Sequence, residues 1–83
     1  MAIWRLETVK RETGKSRSAH YEDIKAGLMT RPVKLGPRAA GWPSDEILAI
    51  NAARIAGKAD GEIRSLVARL EAARRDCERA CHA

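Results

Sequence analysis

Arg17, Ser18, Tyr21 and Lys25 are the residues of this chain whose types and spacing could do chemistry. On a helix of period 3.6 they share one face, which then offers a forked guanidinium, a hydroxyl, an aromatic ring with a polar tip and an ammonium. Such a set suits base edges and phosphates in the major groove of DNA. The plainer reading is a basic amphipathic helix whose polar face is merely solvated. Cys77, Cys81 and His82 form a second constellation, since thiolates one helical turn apart can share a zinc ion. A fourth ligand is missing, because His20 is the only other histidine and lies in a different element, so neither a metal nor a cofactor is expected. No Gly-rich phosphate loop, nucleophile with a base at hand, or HExxH pattern occurs. An enzyme is not expected either, because a chain of 83 residues buries only roughly 60 to 65 per cent of its unfolded surface, too little for a walled active site.

Charge is distributed unevenly. Residues 1–43 hold nine Lys or Arg against four acids, and residues 44–83 hold seven of each. The whole net charge of +5 therefore sits on the half that carries the Arg17–Lys25 face, as a surface that meets phosphates requires. Two cysteines four residues apart in a helix suit reduced thiols in a reducing compartment. With no apolar run long enough for a bilayer and no charged-then-apolar pattern at the amino end, a soluble, cytoplasmic protein working at the nucleoid, without membrane contact, is expected.

The elements that must position the basic face follow from local signals. Ser16 can accept from the free amides that open a helix and Gly27 can take the left-handed geometry that closes one, so the spacing predicts a short helix between them. Leu6 to Thr13 reads as a preceding helix with Leu6, Val9 and Thr13 on its inner face, and Gly14-Lys15 permits only a tight turn. Trp4 reads as a packing anchor. Pro32 ends helix formation, after which Val33-Lys34-Leu35, a Gly36-Pro37 turn and Arg38 to Trp42 read as a two-stranded hairpin. Lys34 and Arg38 near its tip can reach a phosphate or serve only solubility, and Trp42 is expected to pin the hairpin to the helices. Ser44 is expected to cap a third helix with Asp45 and Glu46 in its first turn, ending near Gly57. Asp60 can cap a fourth, amphipathic helix from about Gly61 to Cys81. Its seven-residue repeat takes Ile63, Leu70 and Cys77 as one row and Leu66, Ala73 and Ala80 as the other, with Val67 widening the stripe. That stripe either packs on its own domain or forms a homodimer through residues 61–81, antiparallel because Arg69 and Arg74 would repel in a parallel pair.

Within the recognition segment, His20 and Asp23 fall opposite the basic face, where Asp23 could raise the histidine pKa or both could be partly exposed bystanders. Glu22 lies beside the basic face, where it would either accept from a cytosine amino group or repel phosphate.

Gly14, Ser16, Arg17, Ser18, Tyr21, Ile24, Lys25, Gly27 and Leu28, followed by the Pro32–Trp42 stretch with its KLGPRAAGW run and by the acidic helix start at Glu46-Ile47, resemble the AlpA family of prophage regulatory proteins over residues 4–55. The resemblance implies a small winged helix-turn-helix with a two-stranded β-hairpin, similar to phage excisionases and MerR-type domains. Together with the additional C-terminal amphipathic helix, which lies beyond the resemblance, the expectation is a mainly α fold with the DNA-binding domain at residues 1–57 and the helix at 58–83. The resemblance also implies a sequence-specific regulator that binds double-stranded DNA of a prophage or integrative element, with the recognition helix at Ser16–Ala26 and the wing at Val33–Trp42. An excisionase-like factor that bends attachment-site DNA beside an integrase partner, or a protein-interaction module with a degenerate helix-turn-helix, are the alternatives. The DNA-contacting set expected is Arg17, Ser18, Tyr21, Lys25, Lys34 and Arg38. Departures from the family pattern are Lys15, His20 and Asp23 at usually apolar positions, Glu22 where arginine is common, and Ile50 for a frequent tryptophan.

Overall fold

A computed structural model describes residues 2–82, with side chains described for residues 2–76. The elements run β1 (Ile3–Trp4), α1 (Leu6–Thr13), α2 (Arg17–Ala26), β2 (Val33–Gly36), β3 (Ala39–Pro43), α3 (Ser44–Ile55) and α4 (Asp60–His82). This is the winged helix-turn-helix expected from the sequence, with one strand more.

α1 and α2 form where the cap residues stand. Gly14 closes α1 at φ 72°, its N–H donating to the Lys10 carbonyl at 2.9 Å. Ser16 Oγ accepts from the Ala19 N–H at 3.2 Å, and Gly27 at φ 79° closes α2 in a conformation that would strain any side chain.

The hairpin turns at Pro37-Arg38, one residue later than the sequence reading placed it. β2 pairs with β3 through Val33↔Gly41 and Lys34↔Ala40, then slips past Leu35 so that Gly36 meets Ala39. A bulge of this kind bends the strand and increases its twist. The expected pair of strands is in fact three, in the order β1-β3-β2. β1 adds antiparallel to β3 with Ile3 opposite Pro43 and Trp4 opposite Trp42. Gly41 makes this layer possible: a Cβ there would stand 2.6 Å from Ile3 Cγ2 and 3.0 Å from the Trp4 carbonyl oxygen.

β1 also corrects the expected role of Ser44. Its hydroxyl does not cap α3 but accepts from the Ala2 N–H at 2.9 Å, while its own N–H donates to the Ala2 carbonyl at 2.7 Å. The serine is spent on the sheet edge, and Asp45 and Glu46 are left to complement the helix start. Asp60, expected as a cap, is instead the first residue of α4.

One core joins the four helices with β1 and β3. Val9, Met29, Trp42, Ile47, Ile50, Ile63 and Val67 are buried together, with Trp4, Leu6, Leu66 and Leu70 against them. Trp42 does pin the hairpin, for it is buried and its indole N–H donates to the Thr30 carbonyl at 2.9 Å. Ile63, Leu66, Val67 and Leu70 of α4 pack on their own domain, Ile63 and Val67 buried and Leu66 and Leu70 partly so. Arg74 fastens α4 further, with forked bonds of 2.8 and 2.7 Å to the buried Glu46 carboxylate and one of 2.7 Å to the Arg31 carbonyl. Its hydrogen bonding to Glu46 holds the guanidinium pKa above its ordinary value. Cys77, Ala80, Cys81 and His82, which carried the metal reading and the end of the seam, lie outside the described side chains. No described helix is long and apolar enough to cross a membrane.

Candidate nucleic-acid interface

α2 lays its polar residues outward in a row. Arg17, Ser18, Tyr21 and Lys25 are all exposed, with Arg17 and Lys25 about 12 Å apart along the axis. The Arg17 guanidinium stands 5.8 Å from the Tyr21 ring centroid, close enough for cation–π attraction. Glu22 lies 4.0 Å from Lys25, an exposed pair on the same side of α2, which leaves both of its expected roles, base acceptor or phosphate repellent, open.

The inner side of α2 differs from expectation. His20 and Asp23 are not partly exposed: His20 has no accessible surface, and Asp23 is buried. The Asp23 carboxylate accepts from Lys15 of the turn and, at 3.2 Å, from Arg54 of α3, whose guanidinium also reaches the Leu28 carbonyl at 3.4 Å. Lys15 and Asp23, which depart from the family pattern, are therefore partners, and an ionic clamp fastens α2 where apolar packing is usual. His20 lies between Tyr21 and Trp42, edge-on to both rings. Burial holds its pKa below the ordinary value, an effect opposed by Asp23 and reinforced by Lys15. The pairing with Asp23 does not raise it, because desolvation outweighs the carboxylate.

Between the start of α1, the start of α2 and the hairpin turn lies an open concavity of about 350 Å³, lined by Arg5, Leu6, Glu7, Arg17, Tyr21, Arg38, Ala40 and Trp42. It brings together three of the six residues expected to contact DNA: Arg17 and Tyr21 from the helix, Arg38 from the wing. Ser18 and Lys25 are exposed on α2, and Lys34 is exposed on β2 opposite Ala40, but none of the three lines the concavity. Arg5 was not anticipated. A basic residue immediately before the first helix was the only signal in the sequence, and it gains meaning only when β1 folds back beside β3.

Among the described residues no group of three or more metal-binding side chains gathers. No curated protein and no solved structure matches the chain. A family model described as prophage CP4-57 regulatory protein (AlpA) matches residues 2–49. That span runs from β1 through the first half of α3 and contains the whole concavity, the outward face of α2 and the wing, while α4 lies beyond it. With more than half of its length in the match, the chain belongs to the AlpA family of prophage regulatory proteins.

Proposed function

We propose that this protein is a sequence-specific DNA-binding regulator of transcription for a prophage or integrative element, acting by binding and not by catalysis. The reading is carried by one observation: Arg17 and Tyr21 of α2 and Arg38 of the wing line the same concavity, as one duplex would require. α2 enters the major groove, where Arg17, Ser18 and Tyr21 address base edges or nearby phosphates, and Lys25, Lys34 and Arg38 hold the backbone. Family membership supports the regulatory sense.

Titrating labelled duplexes from upstream of the element's genes at two salt concentrations tests the reading. Affinity falls steeply as salt rises, since each phosphate contact releases counterions. Binding that is absent or indifferent to salt overturns it. An excisionase-like role, bending attachment-site DNA beside an integrase, uses the same surface and is separated by comparing the bend in attachment-site and promoter fragments. The interaction-module alternative draws on Lys15, His20, Asp23 and Glu22; the ion pairing of Lys15 with Asp23 and the burial of His20 weigh against reading the first three as signs of a decayed helix.

A further inference from the structure

We propose that the concavity between α1, α2 and the hairpin turn is a clamp for a single phosphate group, and that Arg5 is part of it. The proposal rests on the DNA-binding reading for the source of that phosphate, a backbone group of the duplex, but not for the clamp itself.

Arg5, Arg17 and Arg38 come from three separate elements and line one concavity, which sets like charges side by side. Such an arrangement is unfavourable without an anion. Among the described residues no carboxylate lies within ion-pair distance of any of the three, whereas Lys10, Lys15, Arg31, Arg54 and Arg74 each have one. The single acid at the rim, Glu7, is turned to solvent with its side chain 86% exposed and is neutralised by Lys10 at 3.6 Å. Arg17 is also the first residue of α2, whose first turn contains no acid, so the positive end of the helix dipole adds to the three guanidinium groups. Tyr21 holds the Arg17 guanidinium from one side, and the buried Trp42 supplies a rigid floor. One guanidinium fork spans the two free oxygens of a backbone phosphate, and each of the other two arginines can add a charge-assisted hydrogen bond to one of them. Arg17 is thereby assigned to the backbone, and base reading passes to Ser18 and the residues further along α2.

The side-chain Nε–H signals of the full-length protein are followed by NMR while inorganic phosphate is added, against sodium chloride of matched ionic strength. Arg5, Arg17 and Arg38 shift along one common curve while Arg64 and Arg69 stay still; independent curves, or the same response to chloride, overturn the clamp. In a second arm, duplexes carry one neutral methylphosphonate at successive positions. At one position the substitution weakens binding by the native protein about tenfold, the ratio for one charge-assisted hydrogen bond, and at that same position the loss is smaller for Arg5→Ala and for Arg38→Ala, whose remaining arginines still hold the group. Separate positions for the two variants overturn the clamp. A concerted phosphate response from a protein that binds no duplex keeps the clamp, with free phosphate as its ligand, and overturns the DNA-binding reading. Arg5→Lys, which keeps the charge without the fork, recovers part of the affinity, and the exposed position of Arg5 leaves folding intact in both variants.

Discussion

The imidazole of His20 stands edge-on to the indole of Trp42, with ring centroids 4.7 Å apart and planes inclined at 76°. Neither imidazole nitrogen meets a hydrogen-bonding partner among the described residues, and the ring has no accessible surface. Burial lowers its pKa in the folded protein, with Asp23 opposing and Lys15 assisting. The unfolded chain therefore takes up a proton at about pH 6.5 while the folded protein still refuses it, so stability is complete above that pH and declines as pH falls toward the lowered folded value. Urea unfolding between pH 7.5 and 5 is expected to show this slope, and His20→Leu to flatten it. An unchanged slope in the variant would remove His20 as its cause.

Asp23 is held by cations from two directions, Lys15 at the turn and Arg54 on α3, and its side chain is only 12% accessible. Asp23→Ala removes the shared anion and leaves two neighbouring cations uncompensated, at an expected cost of about 2 to 3 kcal/mol by chemical denaturation. Arg54→Met, which leaves Asp23 its bond to Lys15, costs less than half of that.

At Gly41 the sheet closes around a missing side chain. Gly41→Ala is expected to destabilise by about 2 kcal/mol, because its Cβ meets both Ile3 Cγ2 and the Trp4 carbonyl. Adding Ile3→Ala relieves the first contact but not the second, so the double variant recovers part of the loss. Full recovery would place all of the strain on the isoleucine.

Lys25 and Lys34 lie outside the concavity but on the elements that carry it. Each is expected to contribute one phosphate contact, so that Lys25→Ala and Lys34→Ala each reduce the slope of log affinity against log salt by about 0.9. Neither changes the ratio of affinities for target and random duplexes, whereas Ser18→Ala does. Anisotropy titrations of both duplexes over a salt series supply these values.

The parts of this fold that could be read from the sequence are those set by neighbours along the chain. Ser16 and Gly27 announce the ends of α2 because capping is local chemistry, and Trp42 declares itself as an anchor because a hairpin so short needs one. β1 escaped notice because two residues carry no alternation. His20 and Asp23 were placed on the correct side of α2 but not in the interior, since what makes burial of Asp23 tolerable is Arg54, 31 residues further on. In the site, the face of α2 was legible from its period, but the convergence of Arg5 with Arg17 and Arg38 depends on how β1 and the hairpin turn are laid beside the helix, which no spacing encodes.

The two hydrogen bonds joining Ala2 to Ser44 span 42 residues. During translation at 5 to 20 residues per second, roughly 2 to 8 s pass between the synthesis of the two partners. The first strand thus emerges from the ribosome long before anything exists for it to pair with, while α1 and α2, whose bonds are local, can form at once. The reading helix can therefore exist before the shape that aims it, because the arginine-lined hollow must wait for the hairpin to carry Arg38 back beside α1 and α2.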